Sequence, residues 1–311
     1  MRRIEQLITA SRRATSNLDF GENAGVQDEE FLQAFNDAQE EIQTLINTLF
    51  PTILVKQKTF SASVNVDTYN IPSDAFMGTR IENLEYSSTG LTDNFYVLKK
   101  GAPKERINGE AGNPSFYIRQ GTQIIVQPPP QSGGLFRILY QRTIPVLDKR
   151  RATVLSAALD TSARTITSLY LDTTVELDDA ALTEQNYITI VDKNGVVKMQ
   201  GIPVDSINTG TGQVNVSAGF IYESGETIAA GDYAVRGKYS STHSQLPDLC
   251  EKYLLEYCNM RIFVRDSSTD QAEVAALMSK IEETLKSAFS QPDNDPDRIV
   301  ILDASYLGYE I

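Results

Sequence analysis

Between Asp28 and Phe50 the apolar residues Phe31, Leu32, Phe35, Ala38, Ile42, Leu45, Ile46 and Leu49 recur at three- and four-residue steps. Gln33, Asp37, Glu40, Glu41 and Gln43 fill the polar positions between them, so the spacing predicts an amphipathic helix over 28–50. Asp28 is placed to cap its first turn, Glu29 and Glu30 put negative charge at the positive end of the dipole, and Pro51 stops it. Such a helix is about 34 Å long. Each large apolar side chain contributes roughly 1.5–3 kcal/mol when buried, against about 1–2 kcal/mol per residue for ordering the backbone, so the helix needs partners. Ile4, Leu7 and Ile8 predict a short helix within residues 1–14, surrounded by Arg2, Arg3, Arg12 and Arg13. Leu246-Pro247-Asp248 opens another, with Leu249, Cys250, Tyr253, Leu254, Tyr257 and Ile262 on its apolar face. Ser267, Ser268 or Asp270 caps a last helix bearing Val274, Leu277, Met278, Ile281 and Leu285. Together these predict a small bundle.

After Pro51 the period changes to two. Phe60, Ala62, Val64 and Val66 alternate with polar residues, predicting a half-buried strand that Pro72 ends. Further strands are predicted at Arg80–Tyr86, Phe95–Leu98, Phe116–Ile118, Gln123–Gln127 and Leu135–Gln141, separated by Gly112-Asn113-Pro114, Gly121 and the prolines 128–130. This is a small antiparallel sheet. From about Arg151 to Tyr239 the chain turns to Thr, Val, Ile, Asp and Gly in short alternating runs. Its clearest signal is Tyr187–Val191, then Asn194-Gly195, then Val196–Met199, a hairpin on a type I′ turn. Gln213–Val216, Glu226–Ile228 and Tyr233–Gly237 add candidate strands of a β-sandwich or barrel. Pro292–Asp297 reads as an acidic linker, and the β-prone Ile299–Leu302 with Tyr306 and Tyr309 reads as an arm suited to a neighbour's sheet edge or groove. The fold class is therefore α+β. Residues 1–150 with 241–291 form a core of helical bundle and antiparallel sheet, 151–240 an inserted all-β domain, and 292–311 an extended arm.

Composition narrows the chemistry. With 28 basic and 41 acidic residues the net charge is −13, which disfavours adhesion to phosphate backbones or anionic membranes. No apolar run approaches a membrane span and Met1–Glu5 is no signal peptide, so the protein is expected to be made in a cytoplasm, with no membrane partner. Cys250 and Cys258, eight residues apart on one helix, predict buried thiols rather than a disulfide. His243 is the one histidine, no Cys-x-x-Cys or P-loop occurs, and no Gly-x-Ser-x-Gly is present, so no catalytic residue, cofactor or transition metal is assigned. Asp293, Asp295 and Asp297 open like a calcium loop, but Arg298 and Ala304 occupy the positions of its glycine and closing glutamate. No enzyme is indicated.

The long helix ending Phe50-Pro51, then Tyr69-x-Ile71-Pro72-x-Asp74, Gly112-x-Pro114-x-x-Tyr117, Ile124-x-Val126-x-Pro128-x-Pro130, Ile138-x-Tyr140 and Pro145 together resemble the head-to-tail connector, or adaptor, proteins of tailed phages. The likeness spans residues 28–147 and, less specifically, the later helices. In that family the strand equivalent to Leu135–Gln141 leads soon into the C-terminal helices, whereas here residues 151–240 intervene. The resemblance implies a structural virion protein whose copies form a ring, dodecameric in that family, in the neck between portal and tail or nozzle. DNA would leave through its channel without specific binding, as the net charge favours, and the β domain would point toward tail or fibre proteins. Candidate contacts to the portal or a neighbouring subunit are Arg2, Arg3, Arg12, Arg13, Ile299, Ile301, Tyr306 and Tyr309, a solvated helix face being the alternative for the arginines. The alternative function is a carbohydrate- or receptor-binding β module on a helical mount, with Tyr170, Tyr187, Tyr222 and Tyr233 stacking on sugars.

Overall fold

The computed structural model describes residues 2–15, 25–78, 80–89, 94–102, 110–177, 186–222, 226–265 and 271–289. The bundle consists of α1 (Ile4–Ala14), α2 (Asp28–Leu49), α3 (Glu251–Arg265) and α4 (Gln271–Phe289). Ile4 and Leu7, Phe31, Phe35, Ile42 and Ile46, Leu254 and Tyr257, and Ile281 and Leu285 meet in one core. Two local expectations shift by a residue or more. Gln27, not Asp28, is the N-cap of α2, with its backbone N–H bonded to Glu30 Oε1 at 3.2 Å, which frees the Asp28 carboxylate for other partners. Leu249 is exposed, because the chain enters α3 through a 3₁₀ turn at Asp248–Cys250 that turns it off the apolar face.

The first β region is two packed sheets rather than one. Its strands are β1 (Val55–Ala62), β2 (Thr68–Asn70), β3 (Ile81–Ser87), β4 (Tyr96–Val97), β5 (Lys99–Lys100), β6 (Phe116–Gln120), β7 (Gln123–Gln127) and β8 (Gly134–Gln141). They pair in the orders β1-β8-β3-β4 and β2-β7-β6-β5. The inward residues of the alternating strands, Leu84, Tyr86, Phe136, Ile138 and Tyr140 on one side and Tyr117, Ile124 and Val126 on the other, fill the space between them. Tyr140 donates to the buried Asp74 at 2.7 Å, and Lys56 pairs with the same carboxylate. The predicted strand through Val64 and Val66 ends earlier, at Ala62. Asn65 takes φ +60, the chain turns there, and both valines are exposed.

After β9 (Val146–Leu147) come β10 (Ala152–Asp160), β11 (Thr165–Leu171), β12 (Tyr187–Val191), β13 (Val197–Asn208), β14 (Gln213–Val216) and β15 (Tyr233–Arg236). They close into a six-stranded barrel, β10-β11-β14-β13-β12-β15, around Val154, Leu169, Ile188, Ile190, Met199, Ile202 and Val214. Closure satisfies both edges of every strand. Glu226–Ile228, expected as a strand, is not one. The β12–β13 turn also differs from type I′: Asn194 does not take positive φ and only Gly195 does, at +79. Asp192 organises the turn instead, its carboxylate accepting from the backbone N–H groups of Asn194 and Val196, both at 2.8 Å. Beyond the barrel, β16 (Ser240–Ser241) pairs in parallel with β9, so the strands entering and leaving the barrel lie side by side.

One side of α2 joins these parts. Asn36 Nδ2 donates to Leu147 O at 3.0 Å and its Oδ1 accepts from Leu147 N at 2.7 Å. Gln39 Nε2 donates to Pro145 O and its Oε1 accepts from Ser244 Oγ at 2.7 Å. Gln43 Nε2 donates to Arg142 O and its Oε1 accepts from Ile144 N. Gln43, read from sequence among the polar positions of an amphipathic helix, is thus buried and bonded at both ends. Three amides, spaced as neighbours on a helix face, serve the extended segment 142–147 as a paired strand would. Asn47, one turn further, is buried with neither end of its amide partnered among the described residues. We expect Gln39→Leu to lower stability by about 1–3 kcal/mol, because it strands a buried carbonyl and hydroxyl, while Asn47→Leu is neutral or stabilising. Urea unfolding of the two variants checks the contrast, and equal losses would contradict it.

Candidate assembly surfaces

The N-terminus of α2 gathers opposite charges from three parts of the chain. Arg12, 1% exposed, crosses from α1 to Asp28 at 2.6 Å and lies over the Phe31 ring at 4.8 Å. Lys149 reaches Glu29 at 3.2 Å. Arg151, at the mouth of the barrel, is buried against Asp148, with Nη2 to Oδ1 at 2.6 Å, and also reaches Glu176 at 3.0 Å and Glu29 at 3.4 Å. The second Asp148 oxygen accepts the backbone N–H of Arg236 at 2.7 Å. Burial raises the Glu29 pKa, but Lys149 and Arg151 outweigh it and hold the carboxyl below its ordinary value. A helix start suits these carboxylates, because its dipole adds to the same attraction.

A second contact seats the barrel. The turn after β12 rests on the His243 ring, and a Cβ added at Gly195 would come within 2.6–2.8 Å of it. The Gly195 carbonyl accepts from Ser241 Oγ at 2.6 Å. Burial, with the N-terminal amine and Arg3 nearby, lowers the His243 pKa. Beside this joint a cleft of about 920 Å³ opens between α2, segment 143–151 and the barrel, lined among others by Leu32, Val146, Leu147, Ile221, Arg236 and Lys238.

The candidate contact residues separate. Arg12 is committed inside the subunit. Arg2 is exposed but bonded through Nε and its backbone N–H to Glu251 at 2.6 and 2.8 Å, pinning α1 to α3. Arg3 is half-buried in a bridge with His243, and Arg13 is exposed. Ile299, Ile301, Tyr306 and Tyr309, with the calcium-like spacing at Asp293–Asp297, lie outside the described residues. The spacing of Ile4, Leu7, Ile8, Ser11 and Arg12 on one stripe is the signal that marks Arg12 as buried. The four tyrosines of the carbohydrate reading are scattered: Tyr222 is buried in the barrel, Tyr233 and Tyr187 lie beneath Arg150 and Lys238, and Tyr170 is partly exposed on β11. Cys250 and Cys258 are buried free thiols, each pushed by burial up to about 12. Among the described residues no group of three or more His, Cys, Asp or Glu gathers as a metal site.

Residues 3–194 match the family model described as SU10 adaptor protein. No curated protein matches the chain.

Replacing Arg151 by Met should cost about 3–5 kcal/mol, since it leaves the buried Asp148 without its cation. Glu29, with its folded pKa depressed, contributes stability that is present above the ordinary carboxylate range and lost as pH falls through the folded value. Thermal midpoints taken between about pH 6 and pH 3 should therefore fall for the native chain and fall less steeply for Glu29→Gln. Parallel curves would remove Glu29 from the account.

Proposed function

We propose, from the premise that the chain belongs to the SU10 adaptor protein family, that its copies form a ring between portal and tail or nozzle, with the DNA exit channel through its centre. Membership makes the protein a phage adaptor, a structural component of the virion. The observation that carries the reading is the match over residues 3–194, which takes in α1, α2, the two-sheet sandwich and the start of the barrel. In this reading residues 1–150 with 241–291 are the core and 151–240 an inserted domain facing tail or fibre proteins, although the family match runs on through residue 194 into the barrel. Residues 292–311 act as an arm, and Arg13 is the arginine best placed to meet a partner. A net charge of −13 suits a conduit, because a passing duplex is repelled rather than held. Synthesis in the host cytoplasm, ahead of assembly, completes the picture.

Light scattering of the purified protein, alone and mixed with the portal, should reveal a ring-sized species. Imaging of particles with this subunit labelled should place it in the neck. A subunit that stays monomeric in both mixtures, or a label found elsewhere in the particle, refutes the reading.

A further inference from the structure

The barrel has no open edge, but the sandwich does. Strand β1 pairs with β8 from Val55↔Gln141 to Ala62↔Gly134 without a register shift, and it ends the sheet order. The register tells which of its peptide groups are used. Arg142 N donates to Leu54 O at 3.1 Å, and Arg142 and Leu54 continue the same pairing register, so the even residues of β1 bond to β8. Gln141 N turns the other way, to Arg80 O on the side of β3. The odd residues Val55, Gln57, Thr59 and Ser61 therefore point their N–H and C=O groups away from the sheet. None of the four has a backbone partner among the described residues, and Gln57, Thr59 and Ser61 are exposed. The edge is about 27 Å long. It carries no proline and no bulge; its charged residues are Lys56 and Lys58, and Lys56 is held by Asp74 within the sandwich.

We propose that this edge is the dock for residues 298–303 of a second copy, which add to it as a fifth strand. Arg298-Ile299-Val300-Ile301-Leu302-Asp303 is a β-prone run that extends over about 20 Å, enough to cover most of the edge and at least three of its four outward residues. Charge agrees as well. Strand β1 holds Lys56 and Lys58 and no carboxylate, in a chain of net charge −13, while residues 290–311 carry Asp293, Asp295, Asp297, Asp303 and Glu310 against Arg298 alone. Lys56 keeps Asp74 and still has about half of its side chain exposed to an incoming strand. Between Phe289, where α4 ends, and Ile299 lie nine residues that include Pro292 and Pro296, a spacer that reaches up to about 30 Å when extended. Backbone pairing gives the hold; the run itself is apolar and net neutral, and the lysines face the acidic residues Asp293, Asp295 and Asp297 that precede it. Placing the segment on a second copy rests on the ring reading above, while the open edge itself does not.

The test uses the full-length chain. One population carries Gln57→Cys and a first tag, another Ile301→Cys and a second tag. Cys250 and Cys258 are both 0% exposed and stay silent. Mixed and treated with a short bis-maleimide, the two should give a product bearing both tags that neither variant gives alone. Sedimentation follows association in parallel, and Ile301→Pro, outside the described body of the subunit, should weaken it at least about tenfold by removing a strand donor. Thr59→Pro, which blocks an outward N–H on the other partner, should do the same. Association at native strength without the mixed product, and unmoved by Ile301→Pro, overturns the proposal and leaves the ring standing. Monomers throughout, with a cross-link only inside a chain bearing both cysteines, overturn the second copy as donor and the ring together.

Discussion

The extended stretch from Arg142 to Leu147 is paired as a strand at its ends, with Leu54 and with β16, and between them carries peptide groups past the buried face of α2. Those groups have to be satisfied, and Asn36, Gln39 and Gln43 of α2 satisfy them. The architecture depends on this constraint. The same stretch leaves β8 at one end and opens toward the barrel at the other, so a helix of the bundle fixes the direction in which the barrel departs. Ile144 and Leu147 belong to the apolar core of the bundle. Hydrogen bonds set the register of that contact, and the hydrophobic effect supplies its strength.

The return path is held with equal economy of means. Strand β16 runs parallel to β9, and Ile4 N donates to Thr242 O at 2.9 Å, tying the outgoing chain to the start of α1. With entry and exit adjacent, the barrel is joined to the rest of the chain by a short parallel ladder, by Arg151 and Asp148 with Glu29 and Arg236, and by the Gly195–His243 contact.

Periodicity made α2, the other helices and most sandwich strands legible, because each buries one face and its pattern repeats. It did not reveal the amide ladder. A glutamine bonded to buried backbone and a glutamine in water are the same letter, and a helical wheel sorts residues only as apolar or polar. Arg12 was hidden in the same way, grouped with three other arginines although its stripe with Leu7, Ile8 and Ser11 pointed inward. Strands β10 and β11 escaped individual reading because large residues on their outer faces, Leu155 and Tyr170, blur the alternation and their pairing is broken by register shifts. Val64 and Val66 erred in the other direction: the alternation is real in the sequence, and a left-handed Asn65 cancels it.

A subunit built for assembly has to keep some surface unsatisfied until its partner arrives, and this chain does so unevenly. Its barrel closes on itself, its bundle spends Arg2 and Arg12 internally, and its ion pairs at the start of α2 are consumed within the chain. Among the described residues, the longest strand with a regular unpaired backbone edge is β1. Backbone recognition is tolerant of sequence and exacting in geometry, since it asks only for an extended strand at the right spacing. Each such contact is modest, but in the ring proposed above every subunit would give one and receive one. Opening the ring then breaks a contact whose re-formation is intramolecular, so weak joints repeated around a circle hold together at concentrations where a single joint would part.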